Sequence, residues 1–326
     1  MKSILITGAY GFVGKNVAAY LKEQTDFEIH GLDILNCATA LYHKQFTWKY
    51  QEDIDWDTVD TVIHLAGKAH DTKNTSDAQS YFDVNYGLTK HIFDLFLQSN
   101  AKTFIFFSSV KAAADTVEGA PLLESHKANP QTPYGQSKLQ AEEYIQSEIK
   151  KVESAGKRVY ILRPCMIHGP GNKGNLNLLY RVVRKGIPYP LGAFENKRSF
   201  TSMDNLCFVL KQLIQENVES GIYQIGDDEA LSTNEVVSII SGTLGMRTRI
   251  WNINAGLIRS VAKAGDVLHL PLNSERLKKL TENYVVSNAK LKNALGIEQM
   301  PVSAKEGLQQ TITSFSLLWN FFNVKS

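Results

Sequence analysis

The chain has 326 residues, 43% apolar and 21% charged, an ordinary globular balance with length enough for one large or two smaller domains. Its 35 basic and 33 acidic residues leave a net charge of only +2, with no long Lys/Arg run. That excludes a broad electrostatic footprint for nucleic acid and leaves any anionic ligand to be met by a few placed charges. No run of roughly 18 apolar residues is present, so no membrane span is expected. The segment before the first strand is too short for a signal peptide. Cys37, Cys165 and Cys207 lie far apart with no CxxC spacing. They predict neither a metal site nor a disulfide framework, and they fit a reducing, cytoplasmic setting.

In chain order, short apolar runs alternate with helical patterns. Strands are expected at 3–7, 27–32, 60–65, 103–108 and 158–162, and helices at 14–24, 81–98 and 134–150. The run Thr103-Phe104-Ile105-Phe106-Phe107 is continuously apolar after its first residue, as in a strand buried on both faces. This alternation predicts an α/β fold: a Rossmann-type doubly wound parallel sheet with a smaller C-terminal α/β substrate-binding domain. After Pro164 the pattern changes to a loop at 169–172, a helix at 176–184 and a second loop at 185–196. A helix at 206–215, a strand at 221–225 and a capped helix at 232–244 follow. The expected division is a cofactor domain of 1–166 plus about 202–226, and a substrate domain of about 167–201 and 227–326. The greasiest segment, 315–322, reads as a terminal helix packed on the body or on a second subunit. A membrane-surface contact is the other reading.

The first turn, Gly8-Ala9-Tyr10-Gly11-Phe12-Val13-Gly14, follows a strand and opens a helix. Glycines there let backbone approach a pyrophosphate, and the helix N-terminus supplies donors and a favourable dipole. Asp33 follows 19 residues beyond Gly14, at the end of the second strand. A carboxylate there accepts ribose hydroxyls of NAD and repels the 2′-phosphate of NADP. Leu65, Ala66 and Gly67 end a later strand with small residues where a cofactor passes close. Asn85 is a polar residue in an apolar helical stripe, which calls for a backbone or ligand partner.

Tyr134 and Lys138 share one helical face at i and i+4. An ammonium beside a phenol stabilises phenolate, which can act as base towards a hydroxyl or, protonated, as acid towards a ketone. Ser109 ends the buried strand 25 residues before Tyr134 and can bond the same reacting oxygen.

With these motifs in place, the chain resembles the extended short-chain dehydrogenases/reductases, the NAD-dependent epimerase/dehydratase family, over nearly its whole length. The carrying segments are GAYGFVG, Asp33, Asp53-Ile54, HLAG, Asn85, SSV, YGQSK, RPCMIHGPG and KRSFTSMDNL. The resemblance implies NAD as cofactor, held by Gly8, Tyr10, Gly11, Phe12, Val13, Gly14, Asp33, Asp53, Ile54, Leu65, Ala66, Gly67, Asn85, Tyr134 and Lys138. It implies a catalytic set of Ser109, Tyr134 and Lys138. It also implies a nucleotide-sugar diphosphate met by Arg198 and Asn175, with Arg276 a weaker match. Two departures are informative. His168 replaces the common Tyr of RPxxxYGPG, and Ser109-Val110-Lys111 stands where the 4,6-dehydratases resemble Thr-Asp-Glu. Without that acid pair, removal of water across C5–C6 is not expected. The resemblance therefore points to C4 redox chemistry on a nucleotide sugar, UDP-linked, of the C4-epimerase kind. A 4-keto-6-deoxy-sugar reductase is the alternative and a non-enzymatic NAD(H) sensor the distant one. A homodimer is allowed.

Overall fold

A computed structural model describes residues 1–323 apart from 25, 36, 38, 70–76, 173 and 269–272. The first half runs β1 (Lys2–Thr7), α1 (Phe12–Lys22), β2 (Phe27–Asp33), β3 (Lys44–Thr47), β4 (Thr61–His64), α2 (Ala78–Phe82), α3 (Leu88–Gln98), β5 (Thr103–Phe107), α4 (Pro133–Ser147), α5 (Ile149–Ser154) and β6 (Arg158–Pro164). The second half adds β7 (Met166–His168), α6 (Asn175–Arg184), β8 (Phe200–Ser202), α7 (Met203–Gln215), β9 (Gly221–Ile225), α8 (Thr233–Thr243), α9 (Ala255–Leu268), α10 (Ser274–Thr281), α11 (Ala289–Leu295) and α12 (Ala304–Asn323).

Seven strands form one sheet in the order β3-β2-β1-β4-β5-β6-β9, and every pairing is parallel. Strand periodicity sorts the core. Ile4 and Ile6 join a cluster with α1 and α7, through Val17, Leu21, Leu206 and Leu210. Leu5, one residue out of phase, joins the opposite cluster with Phe93, Phe96 and Ile145. In β5, Ile105 and Phe107 face the first cluster while Phe104 and Phe106 face the second, so the continuous apolar run is buried on both sides. The chain winds outward in both directions from β1 and β4. The crevice at their C-terminal ends is where such sheets bind ligands.

A third cluster gathers Leu176, Tyr180, Val236, Ile240, Ala262, Leu308 and Ile312 from α6, α8, α9 and α12. α8 starts on a capping box in which Ser232 and Glu235 satisfy each other's backbone N–H groups. The apolar C-terminal segment begins in α12 with buried Phe315 and exposed Leu317. Its side chains from 318 onward lie outside the described residues.

Three expectations change. The single helix at 81–98 is instead α2, a π-helical turn over Asp83–Gly87, and α3. The wider turn carries the fully buried Asn85, whose amide needs partners off the helix axis. The helix at 134–150 starts one residue earlier, with Pro133 in its first turn and Thr132 accepting from the Gly135 N–H at 3.2 Å, and it divides after Ser147. β7 and β8, three residues each, pair in parallel within stretches whose sequence carries no strand signal.

Candidate active site

The glycine turn is backbone packed on backbone. Gly8 has φ +69°, and a Cβ there would come 2.8 Å from the Ala66 nitrogen. A Cβ on Gly14 would come 2.5 Å from the Gly8 carbonyl oxygen. The close packing leaves Tyr10, Gly11, Phe12 and Val13 lining the main cleft. α1 begins at Phe12 with Gly11 as its cap residue and no side-chain cap, so its first-turn N–H groups present a positive dipole end. Asp33 stands at the same place. Its Oδ2 accepts from the Tyr10 N–H at 2.7 Å and its Oδ1 from the Ile34 N–H at 2.7 Å. Each carboxylate oxygen has a second lone pair to offer a ribose hydroxyl. A glycine cradle, an uncapped helix start and a strand-end carboxylate are the donors and acceptor that a dinucleotide requires.

The end of β4 is fixed from below by a buried relay. The Thr89 hydroxyl donates to the Asn85 carbonyl at 2.6 Å, so the 3.0 Å contact between its oxygen and His64 Nε2 requires that nitrogen to be the donor. His64 Nδ1 then accepts from Thr7 Oγ1 at 2.7 Å, and Thr7 Oγ1 accepts from the Ala66 N–H at 3.2 Å. This assigns the neutral Nε2–H tautomer from the network. Burial, helped by Lys138, lowers the His64 pKa to about 3, so the ring stays neutral at ordinary pH. Asn85 locks the next residues: its Oδ1 accepts from the Lys68 N–H at 2.8 Å, and its Nδ2 donates to the Lys68 carbonyl and to Ser137 Oγ, each at 3.0 Å. Both amide hydrogens are thereby engaged. Asn85 braces Gly67 and α4 in this structure, where the sequence suggested a direct cofactor contact.

Ser109, Tyr134 and Lys138 meet in the cleft. Ser109 follows β5 and accepts from the Lys111 N–H at 3.2 Å, and its hydroxyl stands near enough to Tyr134 to favour the phenolate. Burial raises the Tyr134 pKa, the nearby Ser109 hydroxyl opposes that rise, and the neighbouring Tyr81 ring, edge-on at 6.3 Å between centroids, adds to it. Lys138 is 5% exposed, and its Nζ donates to the Phe107 carbonyl at 2.8 Å. Burial lowers its pKa to about 8, and the charge of Glu142, one turn further along α4, works against that. Glu142 is itself buried in a bidentate pair with Arg163 and accepts from Ser108 Oγ. That pair ties β6 and the end of β5 to the helix carrying Tyr134 and Lys138.

The cleft encloses about 1530 Å³. One small-molecule pocket typically takes ~300–1,000 Å³, so there is room for two ligands side by side. Its far wall holds Asn175, Leu178, Arg198, Ser199, Glu282 and Tyr284. α6 starts at Asn175 with no side-chain cap, so a second helix N-terminus faces the cleft. Arg198 Nε donates to the Glu282 carbonyl at 3.2 Å, and its Nη2 lies 3.7 Å from Glu282 Oε1. Burial lowers its pKa while Glu282 opposes this, and a guanidinium keeps its charge regardless.

Gly8, Gly14, Asp33, Ala66 and Asn85 adjoin the cleft without lining it, and three further expected residues sit away from the site. Asp53 is exposed at the end of a 3-10 helix and Ile54 packs into the core, neither of them lining the cleft. Arg276 is exposed on the first turn of α10, also off the cleft lining. Conversely, Lys111, Tyr284 and Glu282 line the cleft without a sequence motif that marks them. Lys111 Nζ donates to the Asp115 carbonyl at 2.6 Å and lies 4.1 Å from the Tyr284 ring centroid, so it becomes part of the wall.

This arrangement agrees with a direct match. The profile of the NAD dependent epimerase/dehydratase family covers residues 4–226. The chain belongs to that family. As an epimerase/dehydratase family member it is an NAD-dependent enzyme, with a fold shared across its length. It is 29% identical to a UDP-glucose 4-epimerase of Vibrio cholerae over 96% of this chain and 95% of that one. It is 28% identical to an N-acetyl-α-D-glucosaminyl-diphospho-ditrans,octacis-undecaprenol 4-epimerase of Escherichia coli O157:H7, over 75% and 73% of the two chains. In fold it is similar to the UDP-glucuronic acid 4-epimerase of Bacillus cereus solved with NAD, with TM-score 0.73, 18% identity, and 97% and 99% of the chains covered.

Proposed function

We propose that the chain is an NAD-dependent C4-epimerase of a UDP-linked sugar. The observation that carries this is the meeting of Ser109, Tyr134 and Lys138 in a cleft bounded by the dinucleotide turn on one side and by Arg198 and the start of α6 on the other. In this reading the cofactor domain is 1–166 with about 202–226, and the sugar domain is about 167–201 and 227–326. The Gly8–Gly14 turn and Asp33 would hold NAD, which would supply a reversible hydride acceptor for sugar C4. Tyr134 accepts the proton of the 4-hydroxyl and gives it back at the end. Ser109 holds the reacting oxygen against Tyr134. Lys138 keeps a positive charge beneath the phenol and lowers the cost of phenolate. Arg198, Asn175 and the α6 N-terminus hold the diphosphate while the sugar turns between the two transfers, so binding energy remote from C4 retains the ketone. The V. cholerae relative, matched end to end, supports the same reaction. The setting we infer is cytoplasmic and the assembly a homodimer, the latter readable by light scattering.

The test is a panel of UDP-hexoses and 4-keto-6-deoxy nucleotide sugars, each incubated with the purified protein with and without NADH or NADPH. C4 inversion of a UDP-hexose without consumption of added coenzyme is the expected result. Stoichiometric oxidation of NADPH by a 4-keto-6-deoxy sugar, with no inversion, would replace the epimerase reading by the reductase.

A further inference from the structure

We propose that α9 is a docking surface for an anionic lipid bilayer. The helix carries two apolar stripes where one is needed to hold it. Ile258, Ala262 and Gly265 are buried, and the first two pack into the third core cluster. Leu257, Val261 and Leu268, at i, i+4 and i+11, form a second stripe about a quarter turn away. They are 58%, 45% and 65% exposed. Trp251, just before the helix, is 57% exposed. Arg259 and Lys263 stand exposed on the same helix roughly half a turn from that stripe, with Val267, 76% exposed, between Lys263 and the stripe, and the Arg259 guanidinium lies 5.7 Å from the Phe194 ring centroid.

Charge says what covers this stripe. Residues 245–281 contain seven Lys/Arg and two Asp/Glu, a net +5, although the whole chain is only +2. The rest of the molecule is therefore net −3, and the positive charge is concentrated in the stretch of chain that carries these exposed apolar side chains. Apolar side chains and an aromatic beside Lys and Arg on a helix lying flat on the protein is the pattern that inserts shallowly into a headgroup region. A second copy of this chain is the poorer occupant. A two-fold interface would set the +5 segment against itself. The proposal is independent of the C4 chemistry, because its readout is binding to lipid.

The experiment is co-sedimentation of the full chain with vesicles of phosphatidylglycerol and phosphatidylcholine, against phosphatidylcholine alone. Retention on the anionic vesicles only is expected, with release at ~1 M salt, where screening falls to ~3 Å. Arg259→Gln with Lys263→Gln is expected to weaken binding ~25-fold, at about fivefold per cation. Leu257→Ser with Val261→Ser is expected to weaken it with the charges intact. Both pairs change exposed side chains, so turnover of a soluble nucleotide sugar and the subunit count are expected to be unchanged. No retention on anionic vesicles, equal retention on neutral ones, or an effect of the serine pair on subunit assembly instead of on vesicle binding would each overturn the proposal.

Discussion

Replacing Lys138 by Met is expected to stabilise the coenzyme-free protein while abolishing its chemistry. Lys138 is 5% exposed, and its pKa falls from 10.5 to about 8 on burial. Between those values the folded protein binds fewer protons here than the unfolded chain, so this residue's contribution to stability improves as pH rises through the window. Below it the charged form is fully penalised. Each tenfold in proton affinity is worth ~1.4 kcal/mol, so the penalty near pH 7 is ~3 kcal/mol. Methionine removes that penalty, but it also removes the bond from Nζ to the Phe107 carbonyl, worth ~1 kcal/mol. The net gain expected near neutrality is ~2 kcal/mol, shrinking to nothing or a slight loss by about pH 10, where the penalty itself is under ~1 kcal/mol. Urea unfolding of stripped wild type and variant at the two pH values measures it. A variant less stable than wild type near neutrality, or a gain unchanged at high pH, would refute the reasoning.

Other expectations follow from the same geometry. Tyr134→Phe should lower turnover by roughly two to four orders of magnitude with substrate and NAD binding retained, and Ser109→Ala should cost less, as read by steady-state rates and titration. Asp33→Ser removes the carboxylate that meets the Tyr10 and Ile34 N–H groups, and should weaken NAD binding roughly 100-fold while narrowing the preference over NADP, measured by calorimetry. Arg198→Ala should raise KM with little change in kcat, because a diphosphate contact is the same in ground and transition states.

The parts of the site that could be read from sequence are those made by neighbours in the chain. Gly8 and Gly14 are needed because backbone passes within bonding distance of where their side chains would be, and Asp33 closes the adjacent strand. Tyr134 and Lys138 are one helical turn apart, a spacing visible without coordinates. Of the far wall, Arg198 and Asn175 are legible only through the family resemblance, and Glu282 and Tyr284 carry no signal, because Arg198 meets Tyr284 through an isolated backbone bridge and Glu282 through a side-chain bond, across segments without periodicity. Asn85 stands out in the sequence by its polarity, but its partners, Lys68 and Ser137, depend on a π-turn that no local pattern signals. The short β7–β8 pair is set by tertiary contacts of the same long-range kind.

The most direct test of the C4 account uses a UDP-hexose carrying deuterium at C4, incubated with the purified protein and no added coenzyme. Removal and return of the C4 hydride within one cleft predicts that the inverted product keeps its deuterium at C4, with none appearing in solvent, when followed by mass spectrometry and proton NMR. Loss of the label to water during inversion, or an unchanged sugar unless NADH is supplied in stoichiometric amount, would contradict it.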